Sequence, residues 1–386
     1  MSLKLKILIC SDSFYPPLGG GTITLRVMAS TLSRDGNEVS ACYIGDKEDP
    51  EFRSYPLRIS TGVRGLWPRQ WVIGKKWRPI LRRVISDNKP DVVITQQTVA
   101  AATAETCNEL GVPVIVILNS VDQFCLGSFW SGHPWKCAHF CPGCKDSGPR
   151  IAQYLFFLSE VRRMHKGLRA ADGVVTNSRF MQSTLKEIWG IDSFIVTPMV
   201  ATPARAKGPR RDGVILFVSP VEHKGLCLVL ELARRMQSEK FLFVGEAKQK
   251  SRQAMASLKN VKYVPWTSDV EPLYEQAKIV IMPSVIPEGF GRVCIEAMSR
   301  GIPCVASAVG ALPETVGPGG DIIKDHKDVE SWVAAVQRYS DVDYLTEKSR
   351  VALLHSKVFL RSEGTEELSS HLRSLVGDPG KSEVLR

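Results

Sequence analysis

A chain of 386 residues exceeds what one ordinary hydrophobic core supports and predicts two domains of roughly 150–200 residues each. Its apolar share of 44% and charged share of 23% are those of a globular protein, and the absence of any apolar run near the ~20 residues that span a bilayer excludes a membrane-spanning helix. A net charge of +10 favours anionic partners, whether a nucleotide, a polyanion or an anionic membrane surface.

The chain opens with "LKILICSDS" (4–12), an apolar run followed directly by polar residues with no cleavage site, so it reads as a buried strand and not a signal peptide. The expected location is therefore the cytoplasm, where thiols stay reduced and ten cysteines are core residues or metal ligands more readily than a disulfide framework. A glycine loop and helix follow in "GGGTITLRVMASTLSRDG", then strands "EVSACYIG" (38–45), "DVVIT" (91–95), "VPVIVIL" (112–118) and "DGVVTNS" (172–178). Continuous apolar strands separated by helical stretches imply a parallel sheet covered on both faces. Between them, "RGLWPRQWVIGKKWRPILRR" (64–83) holds seven Lys/Arg and three Trp, a pairing found where proteins meet lipid headgroups; it reads equally as a solvated helix with its tryptophans turned inward.

After the fourth of these strands, Cys137, Cys141 and Cys144 stand at C-x3-C-x2-C spacing, with Cys125 before them. Four thiolates can close a structural zinc site with no open position, with His133 and His139 as alternative ligands. A disulfide, free thiols and an iron–sulfur cluster remain the other readings.

The polar stretch "TPARAKGPRRDG" (202–213) then reads as a linker. The strand–helix pattern restarts in "VILFVSP" (214–220), "FLFVGEA" (241–247), "VKYVPW" (261–266), "AKIVIMPS" (277–284) and "PCVASAVG" (303–310). The fold class is α/β: two tandem Rossmann-like domains with a deep cleft between them, 1–205 (with a cysteine-rich loop at 122–148) and 206–360. A C-terminal helix in 361–386 packs back on the first domain before a frayed tail. Ligands in such sheets bind beyond the carboxyl ends of the strands.

Residues 283–314, "PSVIPEGFGRVCIEAMSRGIPCVASAVGALPE", concentrate the chemistry. A strand ends in a loop carrying Glu288, and Gly289, Phe290 and Gly291 open a helix whose unpaired N–H groups attract phosphate. Glu296 follows eight residues after Glu288, about 12 Å along the axis if the segment is mostly helical. Ionised carboxylates accept hydrogen bonds from sugar and ribose hydroxyls, and two of them flanking a phosphate-binding turn suit a nucleotide sugar. By spacing alone they could equally be surface glutamates.

This segment resembles the E-x7-E motif of retaining glycosyltransferases of family 4, which have the GT-B fold, and the match runs through Gly320. The resemblance implies a hexosyl transfer from a nucleotide diphosphate sugar to a hydroxyl of a glycan, lipid-linked or small-molecule acceptor, with the anomeric configuration retained. It implies that Glu296 holds the ribose hydroxyls, and that Glu288 with the following backbone (Gly289, Phe290, Gly291, Arg292) holds the hexose and diphosphate. "FVSPVEHKGL" (217–226) is similar to the family's Lys-Gly element and gives Lys224 the diphosphate. Where the family often has Gly-Arg, this chain has Ser219-Pro220, so Lys224 acts with fewer helpers or with Arg292. "FYPPLGGGT" (14–22) resembles the family's glycine loop, bringing Gly20 and Gly21 to the diphosphate. Asn119 stands where members commonly carry a histidine; it can hydrogen-bond a hydroxyl but cannot act as a general base, and Asp122 is nearby. Some members share a cysteine-rich insertion at this place, and basic patches of the first domain often meet a membrane-bound acceptor, which suggests peripheral association with the inner membrane face and a role in polysaccharide biosynthesis. No metal or other cofactor is required for this chemistry; Asp341-Val342-Asp343, a D-x-D, is read as incidental. A nucleotide-sugar epimerase is the nearest alternative enzyme and a metal-cluster enzyme a more distant one. No nucleic-acid recognition motif is present.

Overall fold

The computed structural model describes residues 4–17, 19–62, 66–121, 151–198, 200, 203, 206–360 and 363–377. Two compact units divide the chain: 1–199 together with 362–386, and 200–361.

The first unit is built on strands β1 (Lys6–Ser11), β2 (Glu38–Ile44), β3 (Arg53–Leu57), β4 (Val92–Gln96), β5 (Val114–Leu118), β6 (Gly173–Thr176) and β7 (Phe194–Ile195). They form one seven-stranded sheet in the order β3-β2-β1-β4-β5-β6-β7, and every adjacent pair is parallel. Successive side chains leave a strand on opposite faces. Accordingly Leu8 and Cys10 join one core with Trp77 and Leu168, while Ile7 and Ile9 join the other with Leu25 and Leu32. The covering helices are α1 (Gly20–Arg34), α2 (Leu66–Asn88), α3 (Ala100–Leu110), α4 (Ile151–Arg169) and α5 (Arg179–Trp189). β3 was not expected from the sequence: it is half-buried and contains Pro56, which an edge strand tolerates because its unpaired side needs no N–H.

The second unit has β8 (Val214–Val218), β9 (Phe241–Val244), β10 (Val261–Val264), β11 (Ala277–Met282), β12 (Cys304–Ser307) and β13 (Gly320–Ile323), in the order β10-β9-β8-β11-β12-β13. Its helices are α6 (Leu226–Arg235), α7 (Gln249–Ala256), α8 (Glu271–Tyr274), α9 (Arg292–Met298), α10 (Leu312–Val316), α11 (Val329–Arg338) and α12 (Val342–Leu360). Ile215, Phe217, Ile279 and Ile281 point to one face and Leu216, Val280 and Met282 to the other, so this sheet too is buried on both sides. β13, also unexpected, pairs with β12 at the far edge. The last helix, α13 (Glu363–Gly377), returns to the first unit, where Leu368 and Leu372 are buried with Leu25, Met28 and Leu32 of α1.

The stretch read as a linker is stitched to the second unit where it is described. Gly208 N donates to the Arg300 carbonyl at 3.1 Å and Arg210 N to that of Ala277 at 2.9 Å. The second unit begins at Val200, buried beside Leu216 and Leu273, ahead of the 206 boundary that composition suggested.

Candidate functional site

In each sheet the strand order reverses direction at one place, between β1 and β4 in the first and between β8 and β11 in the second. Loops leaving those strand ends diverge to opposite faces and open a crevice. Gly20 and Gly21 come after β1, Lys224 after β8, and Glu288 and Glu296 after β11, while Asn119 follows the neighbouring β5.

In the second unit, β8 ends at Val218 and the chain turns through Ser219, whose φ of 62° is left-handed. A single 3-10 turn, Glu222–Lys224, and the left-handed Gly225 then lead into α6. A side chain at Gly225 would collide with the Pro283 carbonyl at the end of β11, so glycine lets the two loops touch. Across that contact Lys224 Nζ donates to Glu288 Oε1 at 2.5 Å, with the two side chains 25% and 12% exposed. The buried Ser284 hydroxyl donates to the same oxygen, and the Ser307 hydroxyl holds the Ser284 carbonyl at 2.7 Å. The backbone of Glu288 is fixed as well: its carbonyl accepts from Ala311 N at 2.8 Å, and a Cβ at Gly310 would strike its N and O. Glu288 is thus held from three sides while its carboxylate still borders a lysine. Beside them, burial and the charge of Lys224 push the His223 imidazole below its ordinary value and favour the neutral ring.

Helix α9 starts only at Arg292, capped by Gly291 at φ 90°. The segment from Glu288 to Gly291 is loop, so the E-x7-E spacing is not a helical rise over its whole length, as the sequence arithmetic assumed. Within the helix Arg292 Nε donates to Glu296 Oε1 at 2.7 Å in an i,i+4 pair. The other oxygen, Oε2, accepts from Tyr274 Oη–H at 2.9 Å. Phe290 is buried and packs edge-on against Phe359, and its carbonyl accepts from the Thr315 hydroxyl; it anchors the loop through its ring. Arg292 therefore stands with Glu296, and Lys224 with Glu288.

In the first unit the ends of β1, β4, β5 and β6 carry Ser11, Gln96, Gln97, Asn119 and Asn177. Asn119 Nδ2 donates to Gln96 Oε1 at 2.7 Å, Gln96 Nε2 to Ser11 Oγ at 3.3 Å, and Asn177 Nδ2 to the Asn119 carbonyl at 2.8 Å. Gly20 and Gly21 open α1 over this edge; a Cβ at Gly21 would lie 3.3 Å from Gln97 Nε2 and 3.6 Å from Asn119 Nδ2. Asn119 thus sits in a row of neutral amides. Gln96, Asn177, Ser284 and Tyr274 were missed in the sequence because amides, hydroxyls and a tyrosine form no spaced signature; only Tyr274, three residues before β11, had an aromatic identity to notice.

The basic helix α2 resolves in part. Trp77 is fully buried and its indole N–H donates to Thr103 Oγ1 at 2.9 Å. Arg78 pairs with Glu105 at 3.1 Å and with Glu109, which Arg82 also contacts. These charges serve α3. Lys75 and Lys76 are exposed, the former 3.7 Å from the Trp71 ring. Asp341 of the D-x-D accepts from Tyr344 N at 2.9 Å at the start of α12, a capping contact. Asp122, Cys125, His133, Cys137, His139, Cys141 and Cys144 lie outside the described residues.

A family model described as Glycosyltransferase Family 4 matches residues 18–200, and one described as Glycosyl transferases group 1 matches residues 212–341. The D-inositol 3-phosphate glycosyltransferase of Mycobacterium marinum is 34% identical over 116 residues, 29% of this chain and 24% of that protein, so the match spans about a quarter of the relative's length. An uncharacterized 42.6 kDa protein in the cps region of Klebsiella pneumoniae is 23% identical over 89% of this chain and 98% of its own. The fold is that of HepE from Anabaena, solved in complex with UDP and glucose: the TM-score is 0.72 at 17% identity, covering 96% of this chain and all of that one. With two doubly wound parallel sheets, a Lys224–Glu288 contact at the turning point of the second and a glycosyltransferase domain matched on each, the chain belongs to the family 4 and group 1 glycosyltransferases of GT-B fold.

Proposed function

We propose that this protein transfers a hexose from a nucleotide diphosphate sugar to a hydroxyl of a glycan or lipid-linked acceptor, with retention at the anomeric carbon. The observation that carries the reading is the meeting of Lys224, Glu288 and Ser284 at the second sheet's switch point, with Glu296 held eight residues on. A lysine cation is suited to the charge that develops on a departing diphosphate. Glu288, fixed by its backbone and by Ser284, is suited to accept from hexose hydroxyls once the diphosphate takes over Lys224. Glu296 is suited to accept from the ribose. Gly20 and Gly21 are assigned to the diphosphate and the Asn119 amide to a sugar hydroxyl; neutral amides there bind and orient without exchanging protons.

HepE holds UDP and glucose, which makes UDP-glucose the first donor to test. The carboxylates and lysine form no metal cluster among the described residues; the four cysteines of the 122–148 loop are assigned to a structural zinc, checked by metal analysis of anaerobically purified protein. No helix among the described residues is long and apolar enough to cross a membrane; an anionic membrane surface is assigned as the meeting place with the acceptor, through the exposed side of α2.

Release of nucleotide diphosphate from UDP-glucose and related donors, with the product's anomeric configuration read by NMR, tests the reaction: inversion would sink the retaining mechanism. Full donor affinity in Glu296→Ala would sink the site assignment.

A further inference from the structure

We propose that Tyr274 is the positioning residue for the Glu296 carboxylate and thereby sets discrimination between ribose and 2′-deoxyribose in the nucleotide. The inference rests on the reading that Glu296 receives the ribose hydroxyls.

Glu296 is the fifth of the seven residues of α9 and is about one-fifth exposed, 19%. A carboxylate on a side chain with three torsions is a poor ruler unless something holds it. Here both oxygens are held, by groups from different elements: Oε1 by Arg292 Nε at 2.7 Å within α9, and Oε2 by Tyr274 Oη at 2.9 Å from α8. The tyrosine is itself enclosed. It is 3% exposed, and Arg300 lies over its ring with Cζ 4.7 Å from the centroid. Arg300 is in turn anchored to Glu271 on α8 at 2.6 Å and to the Glu296 carbonyl at 2.7 Å. The guanidinium therefore ties α8 to α9 with the tyrosine between them. Burial and the neighbouring Glu296 charge push the phenol well above its ordinary value, so Oη keeps its proton and serves as a donor.

An ionised carboxylate has about four acceptor positions. Tyr274 and Arg292 occupy one on each oxygen, which leaves one on each for a vicinal diol. A 2′-deoxyribose offers one hydroxyl fewer and leaves a carboxylate position without its partner. Losing a hydrogen bond to a charged group of this kind corresponds to about tenfold or more in affinity. Without Tyr274 Oη, the carboxylate rotates about its terminal torsion and the two acceptor positions no longer match the diol.

The test is calorimetric titration of the full chain with UDP and 2′-deoxy-UDP, and with the ADP and GDP pairs, alongside inorganic pyrophosphate. Pyrophosphate can engage Lys224 but has no ribose. The wild type is expected to favour the tightest ribonucleotide over its deoxy form by about tenfold, Glu296→Ala to lose that preference, and Tyr274→Phe to reduce it at least threefold. Pyrophosphate affinity should stay unchanged in Tyr274→Phe, which keeps the ring under Arg300. If the wild type shows no preference, or Glu296→Ala retains it, the ribose reading and the inference fall together. If Glu296→Ala abolishes the preference while Tyr274→Phe keeps the wild-type ratio, the inference alone falls. A parallel loss of pyrophosphate affinity in Tyr274→Phe would show general damage to the domain and would also overturn the positioning role.

Discussion

Lys224 and Glu288 form a pair whose members are each suited to part of a nucleotide sugar, and with a 2.5 Å contact between them a donor bound as proposed would replace an existing partner on arrival. Lys224→Ala removes the cation and leaves the Glu288 carboxylate with the Ser284 hydroxyl as its donor among the described residues. Turnover of the nucleotide sugar should then fall by about 10²–10³, the range for losing one preorganised charge-stabilising group, read by release of nucleotide diphosphate under saturating donor. On the other unit, Gln96→Leu removes the acceptor for the Asn119 amide. It should lower kcat several-fold, by about 1 kcal/mol of lost orientation, while nucleotide affinity measured by titration stays at the wild-type value; a shift in that affinity instead would place Asn119 on the nucleotide. At this scale the sequence was legible where spacing or family pattern singled out a charged residue, as at Lys224, Glu288 and Glu296. Gln96, Asn177 and Tyr274 were not, because their roles exist only through partners 22 to 85 residues away in the chain, and Ser284, four residues before Glu288, meets it only through the turn of the loop.

Single elements decide some outcomes that composition left open. Helix α2 looked like a membrane-facing basic helix, yet its buried Trp77 and the Arg78 and Arg82 contacts to α3 show that part of its charge is spent inside the unit. The same sequence pattern fits both readings, because Arg and Trp serve lipid headgroups and carboxylate neighbours alike. Helix α13 is placed by Leu368 and Leu372, and by His371, whose ring packs tilted against Phe194 at 4.6 Å between ring centroids. Burial lowers the His371 value, with Asp172 opposing. The folded state therefore prefers the neutral ring more than the unfolded chain does. The stabilisation is complete above the ordinary histidine value of about 6.5 and is lost as pH falls through it towards the depressed folded value. Amides of α13 should exchange faster at pH 5.5 than at 7.5 after correction for intrinsic rates, and His371→Phe should flatten that difference. Equal protection at both pH values in the native chain would rule the linkage out.

For the whole molecule, the net charge of +10 acts at long range and depends on salt. Sedimentation with phosphatidylserine vesicles should be strong at low ionic strength and largely gone near about 0.5 M salt, where the Debye length has shortened to a few ångströms. Lys75→Glu with Lys76→Glu should weaken it further; binding insensitive to both would take α2 off the membrane. By itself the sequence determined that there are two doubly wound parallel sheets, because runs such as KILIC, VIVIL and AKIVIM are apolar on both faces and only a doubly covered sheet buries both. It also singled out the loop and helix that carry Glu288 and Glu296, because glycines and glutamates there keep a fixed spacing. Only the tertiary structure decided which atom of each carboxylate is engaged and by what. It alone showed that β3 is an edge strand that tolerates a proline. The physical reason is common to all of these: hydrophobic periodicity is a local property of the chain, whereas the hydrogen bonds of Tyr274 and Gln96 depend on separate elements, α8 with α9 and β4 with β5, arriving side by side.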